Sequence, residues 1–167
     1  YMLLAKKFNI LDIPNNRSSH TKPIIRGGGI IFPISVLIYA IFFEFNYPYF
    51  LISLLLISLI SFLDDIYTIS SKWRFLIQLV SVTLLIIELY NPISIYCLLL
   101  VPVLVGILNG YNFMDGINGI TASYSFVTLI TLLVINQSIV FIENDFLLII
   151  LFSTLIFSFL NFRKKAV

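Results

Sequence analysis

The chain has 167 residues, 60% of them hydrophobic and 11% charged, with a mean hydropathy of +1.06. A soluble domain carries about 25% charged residues, and this composition lacks the polar groups to cover a water-facing surface. The net charge of +2 argues against a nucleic-acid ligand. Cys97, the single cysteine, excludes a disulfide framework and a thiolate metal site and reads as a small buried hydrophobe.

Tyr1–Ala5 reads as the tail of an earlier span. Six apolar stretches follow, at about Gly27–Phe45, Tyr49–Leu63, Phe75–Leu89, Ile93–Leu108, Ile120–Ile135 and Phe146–Phe162. Each is near the short end of what a helix needs to cross a hydrocarbon core of roughly 30 Å. Runs this continuous suit helices, whose backbone satisfies itself in lipid, and not the alternating strands of a barrel. Pro33 is tolerated near a helix start, whereas Pro102 predicts a kink or a local break. The expected fold is all-α, a polytopic transmembrane bundle of about six spans plus the remnant of an earlier one, forming a single domain over 1–167.

Alternating spans put residues 6–26, 64–74, 109–119 and 163–167 on one side. That side holds all ten Lys and Arg residues: Lys6, Lys7, Arg17, Lys22, Arg26, Lys72, Arg74, Arg163, Lys164 and Lys165. The other side holds Glu44, Glu143 and Asp145, with Glu88 at a helix end. The positive-inside rule makes the first side cytoplasmic.

Three cytoplasmic segments carry chemistry. The first runs from Leu11 to Gly29 and ends in Gly27-Gly28-Gly29, where glycine permits close approach and positive φ. Arg17, Lys22 and Arg26 can hold phosphate oxygens; the alternative is a basic loop that fixes topology and touches anionic lipid. The second carries Asp64-Asp65 at a helix C-terminus, where the dipole opposes negative charge. A divalent cation compensates there, with one carboxylate on the metal and its partner facing substrate or Lys72, unless the pair is only a solvated turn. The third is Asn109-Gly110-Tyr111-Asn112-Phe113-Met114-Asp115-Gly116-Ile117-Asn118-Gly119. Asn109, Asn112 and Asp115 are spaced i, i+3, i+6, an arc of about 120° on one helical side. Their oxygens can grip a metal, a diphosphate or a sugar hydroxyl. The glycines predict a broken or re-entrant segment.

These segments, in this order and on this face, resemble the polyprenyl-phosphate N-acetylhexosamine-1-phosphate transferases, in the branch that initiates O-antigen and related cell-surface polysaccharides. The resemblance rests on Asp12 through His20 and Arg26-Gly27-Gly28-Gly29, on Phe62-Leu63-Asp64-Asp65, and on Asn109 through Gly119. It implies attack of a polyprenyl phosphate on the β-phosphorus of a UDP-N-acetylhexosamine, with Mg²⁺ required and Mn²⁺ as a substitute. By the same resemblance Asp64, Asp65 and Asp115 are the catalytic carboxylates, with Asp65 and Asp115 on the metal. Asn109, Asn112, His20, Lys22 and Arg26 are then substrate-binding. The implied partners are the UDP-sugar, an undecaprenyl-type phosphate, the bilayer and a second copy of the chain, and the implied location is a bacterial inner membrane.

The family pattern continues to a further acidic motif and a basic loop, where this chain reaches Arg163-Lys164-Lys165-Ala166-Val167. The expectation is therefore a partial sequence that inserts into membrane and is inactive alone. The rival reading is a transporter fragment whose Asp64, Asp65 and Asp115 line an ion path. It places carboxylates near the midplane, whereas these fall at helix ends beside Lys72 and Arg74.

Overall fold

The computed structural model describes residues 5, 11–12, 24–25, 27–90, 95–114 and 119–162. Among them are six α-helices: α1 (Ile31–Phe42), α2 (Pro48–Tyr67), α3 (Ser71–Leu89), α4 (Cys97–Met114), α5 (Ile120–Ser138) and α6 (Asn144–Asn161). The expected helices are all present. A two-residue antiparallel ladder, β1 (Leu11–Asp12) with β2 (Ile24–Ile25), is an addition to the all-α reading and joins the two ends of the first loop.

A short 3₁₀ turn, Gly28–Ile30, leads into α1 from Gly27, whose φ of 75° is left-handed and suits a residue without Cβ. Pro33 lies in the first turn of α1, where its missing N–H costs nothing. The helix α4 runs unbroken through Pro102 and Gly110, so neither the expected break nor an interruption at Gly110 occurs. Residues 115–118 of the expected re-entrant segment lie outside the described residues.

Consecutive helices pack as neighbours, and α6 returns against α1. Their directions alternate. Along α1 and α6, Phe32 meets Phe157, Ser153 donates to Ser35 Oγ at 2.6 Å, and Tyr39 meets Phe146. As one number rises the other falls, which is an antiparallel pair. The same holds for α2 and α3, where Tyr49 lies beside Glu88, Ser53 beside Ser81 and Asp64 beside Arg74. Small residues at these crossings let the backbones approach closely.

Two apolar clusters hold the bundle. Val82 and Ile86 of α3 pack on Cys97 and Val105 of α4, so Cys97 is the buried hydrophobe that its surroundings predict. Val36 and Tyr39 of α1 pack on Phe146 of α6, with Phe45 and Phe50 filling the same end. Outside these clusters many large apolar side chains point outward, among them Val127 at 67% and Phe159 at 78% exposure. Such a surface is costly in water and suited to lipid. Two helices, α2 with 20 residues and α5 with 19, are long and apolar enough to cross a membrane, and three more apolar helices are shorter.

Alternation gives the bundle two unlike ends. One gathers the end of α1, the starts of α2 and α6 and an aromatic cluster, with Glu44, Glu143 and Asp145 nearby. The other holds Asp64, Asp65, Lys72 and Arg74. Lys72 and Arg74 are the basic residues among those described, and both lie at this second end.

Candidate active site

The helices extend further into the polar motifs than the apolar runs do. The loop expected over 64–74 reduces to Thr68–Ser70, because α2 continues past both aspartates and α3 begins at Ser71. Asp64 builds this turn. Its main-chain carbonyl accepts from Thr68 N–H at 3.1 Å, and one carboxylate oxygen accepts from Ile69 N–H at 2.7 Å. The other oxygen accepts from Arg74 Nη1 at 2.9 Å, and Arg74 Nη2 also donates to Ser71 Oγ at 3.2 Å. A carboxylate that opposes the helix dipole is thus held by one amide N–H and a guanidinium. Thr68 takes φ 48°, a left-handed value that is strained for a β-branched residue. Strain of this kind collects at functional sites.

Asp65 is the next residue on α2, about 100° around the helix from Asp64, and is partly exposed. The two neighbouring carboxylates therefore face different surroundings.

On α3, Gln78 follows Arg74 by four residues, on the same face and about 6 Å further along the axis. Gln78 Oε1 accepts from Asn109 Nδ2 of α4 at 3.1 Å, and the same Nδ2 donates to the Val105 carbonyl at 2.8 Å. One face of α3 thus carries Arg74 on the double aspartate and Gln78 on the asparagine motif. This face assembles the site.

The motifs alone disclose neither bridge. Arg74 reads there as a general offset to negative charge, and Gln78 passes as one residue of an apolar run. The missed signal is an amide placed inside such a run, expensive in lipid unless it has a partner.

Asn112 is exposed, one turn beyond Asn109 on α4. Asp115, His20, Lys22 and Arg26 lie outside the described residues. The motif closes at Gly119, whose φ of 83° begins α5. A Cβ there would clash with the ring of Phe162, so only glycine fits beneath it. Asn161 Oδ1 accepts from Ala122 N–H at 3.3 Å, which binds the end of α6 to the start of α5.

A groove of about 660 Å³ opens between α3 and α4. Asn109 and Phe75 lie towards the motif end, and Leu79, Thr83, Val101 and Pro102 line the groove further along the two helices. Among the described residues no three His, Cys, Asp or Glu side chains cluster as a ready metal site. The donors present at this end, Asp65, Asn109 and Asn112, are all oxygen ligands of the kind that Mg²⁺ takes.

The family model described as Glycosyl transferase family 4 matches residues 47–167, which include the double aspartate and the asparagine motif. The chain belongs to glycosyl transferase family 4. Among its relatives, a probable undecaprenyl-phosphate N-acetylglucosaminyl 1-phosphate transferase of Bacillus subtilis is 30% identical over 186 aligned residues, covering 98% of this chain and 51% of that protein. The undecaprenyl-phosphate alpha-N-acetylglucosaminyl 1-phosphate transferase of Thermotoga maritima is 29% identical over 128 residues, covering 74% of this chain and 42% of that protein. The chain spans about half the length of these curated relatives. No solved structure matches it. Membership of glycosyl transferase family 4, with α2 and α5 long and apolar enough to span, makes this a membrane-embedded protein.

Proposed function

We propose that these helix ends belong to a transferase that moves N-acetylhexosamine-1-phosphate from a UDP-sugar to a membrane polyprenyl phosphate. The acceptor phosphate oxygen bonds to the β-phosphorus of the donor. The bridging P–O bond breaks, its oxygen leaves with UMP, and the product is a polyprenyl-diphospho-sugar. The relatives' names favour N-acetylglucosamine as the sugar and undecaprenyl phosphate as the acceptor. The product would begin a cell-envelope polysaccharide, with the site on the cytoplasmic face of a bacterial inner membrane.

The observation that carries this reading is the bridge through α3, which links Asp64 to Asn109 at the mouth of an apolar groove. One reactant is anchored in lipid and the other is soluble, so the site must lie at helix ends and open towards both. The groove offers apolar walls to an isoprenoid chain whose phosphate would sit at the mouth of the groove. Holding two anions in line removes much of the entropic barrier. Arg74 keeps Asp64 within the turn, and Asp65, about 100° further around α2, would meet substrate or cation. Asp65 and Asp115 would hold Mg²⁺, which when bound supplies positive charge to the diphosphate oxygens. Lys22, Arg26 and His20 would add donors from the first loop.

The transporter alternative is not favoured, since Asp64 and Asp65 lie in the last turn of α2 and away from its middle. The test is equilibrium binding of UMP and of UDP-N-acetylglucosamine to the chain in lipid nanodiscs, with and without Mg²⁺. Binding that needs Mg²⁺ and is lost in Asp115→Asn is the expected result. Mg²⁺-independent binding, or an unaffected Asp115→Asn, would remove the proposed site.

A further inference from the structure

Asn109 has two side-chain N–H groups, and both are engaged inside the protein. Nδ2 donates to the Val105 carbonyl at 2.8 Å and to Gln78 Oε1 at 3.1 Å. A main-chain carbonyl can only accept, so the Val105 contact fixes which end of the amide faces inward. Turning the amide over would set its oxygen against the Val105 oxygen. Among the described residues nothing donates to Asn109 Oδ1, and Asn109 lies on the rim of the α3–α4 groove.

We propose that Gln78 is a positioning residue that locks the Asn109 amide with only its carbonyl oxygen turned towards the site. The group that sits on Asn109 is then a cation or a hydrogen-bond donor such as a sugar hydroxyl, and not a phosphate oxygen. The reason is that two acceptors repel, and that releasing Nδ2 to bind phosphate would leave Gln78 Oε1 without its donor. Gln78 itself stands on the α3 face that carries Arg74, one turn away, so the lock and the Asp64 clamp share one rigid element. The proposal deepens the transferase reading and rests on it for the ligand, though not for the orientation of the amide.

The orientation is measured directly by hydrogen exchange of side-chain amides in the chain labelled with ¹⁵N-asparagine in lipid nanodiscs. The Asn109 signals are assigned by their loss in Asn109→Asp. In the unaltered protein both Asn109 side-chain protons should exchange more slowly than those of exposed Asn112. Gln78→Met keeps length and removes the acceptor, and should speed exchange of one proton by about five- to tenfold, the loss of one net hydrogen bond. Gln78→Glu keeps an acceptor and should remain slow. Exchange at Asn109 as fast as at Asn112 in the unaltered protein would overturn the proposal without recourse to any variant. Equal rates in Gln78→Met and the unaltered protein would overturn it too.

A second readout is the Mg²⁺ concentration at half-maximal turnover in the active transferase. It should rise about five- to tenfold in Gln78→Met with kcat largely kept, and Gln78→Glu should restore it. A fall in kcat alone, not restored by Gln78→Glu, would contradict the positioning role. Inactivity of every form of the protein at its relatives' full length, the unaltered one included, would count against the transferase reading, and the exchange rates would still decide the orientation.

Discussion

Asp64 and Asp65 are adjacent in sequence and unlike in structure. The Asp64 carboxylate closes the α2–α3 turn through Ile69 N–H and Arg74, work that the bare Asp-Asp motif does not disclose. The ion pair is partly exposed, at 35% for Arg74 and 25% for Asp64, so its direct worth is about 0.5–1 kcal/mol after solvent screening. Its larger effect is on geometry. Arg74→Met should therefore lower thermal stability only slightly, while Mg²⁺-dependent nucleotide binding weakens at least tenfold. Arg74→Lys should recover part of that binding, because a single ammonium cannot reach Asp64 and Ser71 with the two-pronged geometry of a guanidinium. Differential scanning fluorimetry and nucleotide titration on the same preparations measure both effects. An unfolded Arg74→Met, or one that binds normally, would show that the pair does not position the site.

At the level of elements, the helices borrow their caps. No side chain caps the start of α2 or of α5 from its own N-cap position. Instead Glu88, near the end of α3, accepts from Tyr49 N–H at 2.6 Å and Phe50 N–H at 3.0 Å. Asn161, the last residue of α6, accepts from Ala122 N–H. Each exchange satisfies amides that lipid cannot and ties a helix start to its antiparallel neighbour. The carboxylate of Glu88 also suits the positive end of the α2 dipole. Glu88→Ala should cost about 1–2 kcal/mol and lower the melting temperature in detergent, with Glu88→Gln in between because it keeps one acceptor. No difference between Glu88→Ala and the unaltered chain would show that the cap is dispensable.

Apolar runs mark the helices well because they report the environment of a segment, and all six appear in the structure. They mark the ends of helices poorly. Asp64 to Tyr67, Ser71 to Arg74 and Asn109 to Met114 are polar enough to resemble loop, yet they are helical, since a backbone ladder continues wherever its end groups find partners. Those partners lie on the neighbouring helix, Arg74 for Asp64 and Gln78 for Asn109, and hydropathy carries no signal of pairing. That the double aspartate and Asn109 lie at one end was legible from span parity and charge. Asn136 had no such signal. Its buried amide donates to the Ile142 carbonyl and accepts from Phe141 N–H, and so folds the α5–α6 turn.

For the whole molecule the central claim is that six antiparallel helices place the double aspartate and the asparagine motif at one membrane face, opposite the aromatic and acidic end. The Asp64–Arg74 turn and the Tyr39–Phe146 cluster mark the two ends. Single cysteines placed in a Cys97→Ala chain test this directly, because Ser70, Asn46 and Asn144 are all exposed and lie in or beside the turns at the two ends. Labelling with a membrane-impermeant thiol reagent in sealed cells, and then in inverted vesicles, reads the side of each. The account predicts that Asn46→Cys and Asn144→Cys react in sealed cells and that Ser70→Cys reacts only in inverted vesicles. Reaction of Ser70→Cys and Asn144→Cys from the same side would contradict it.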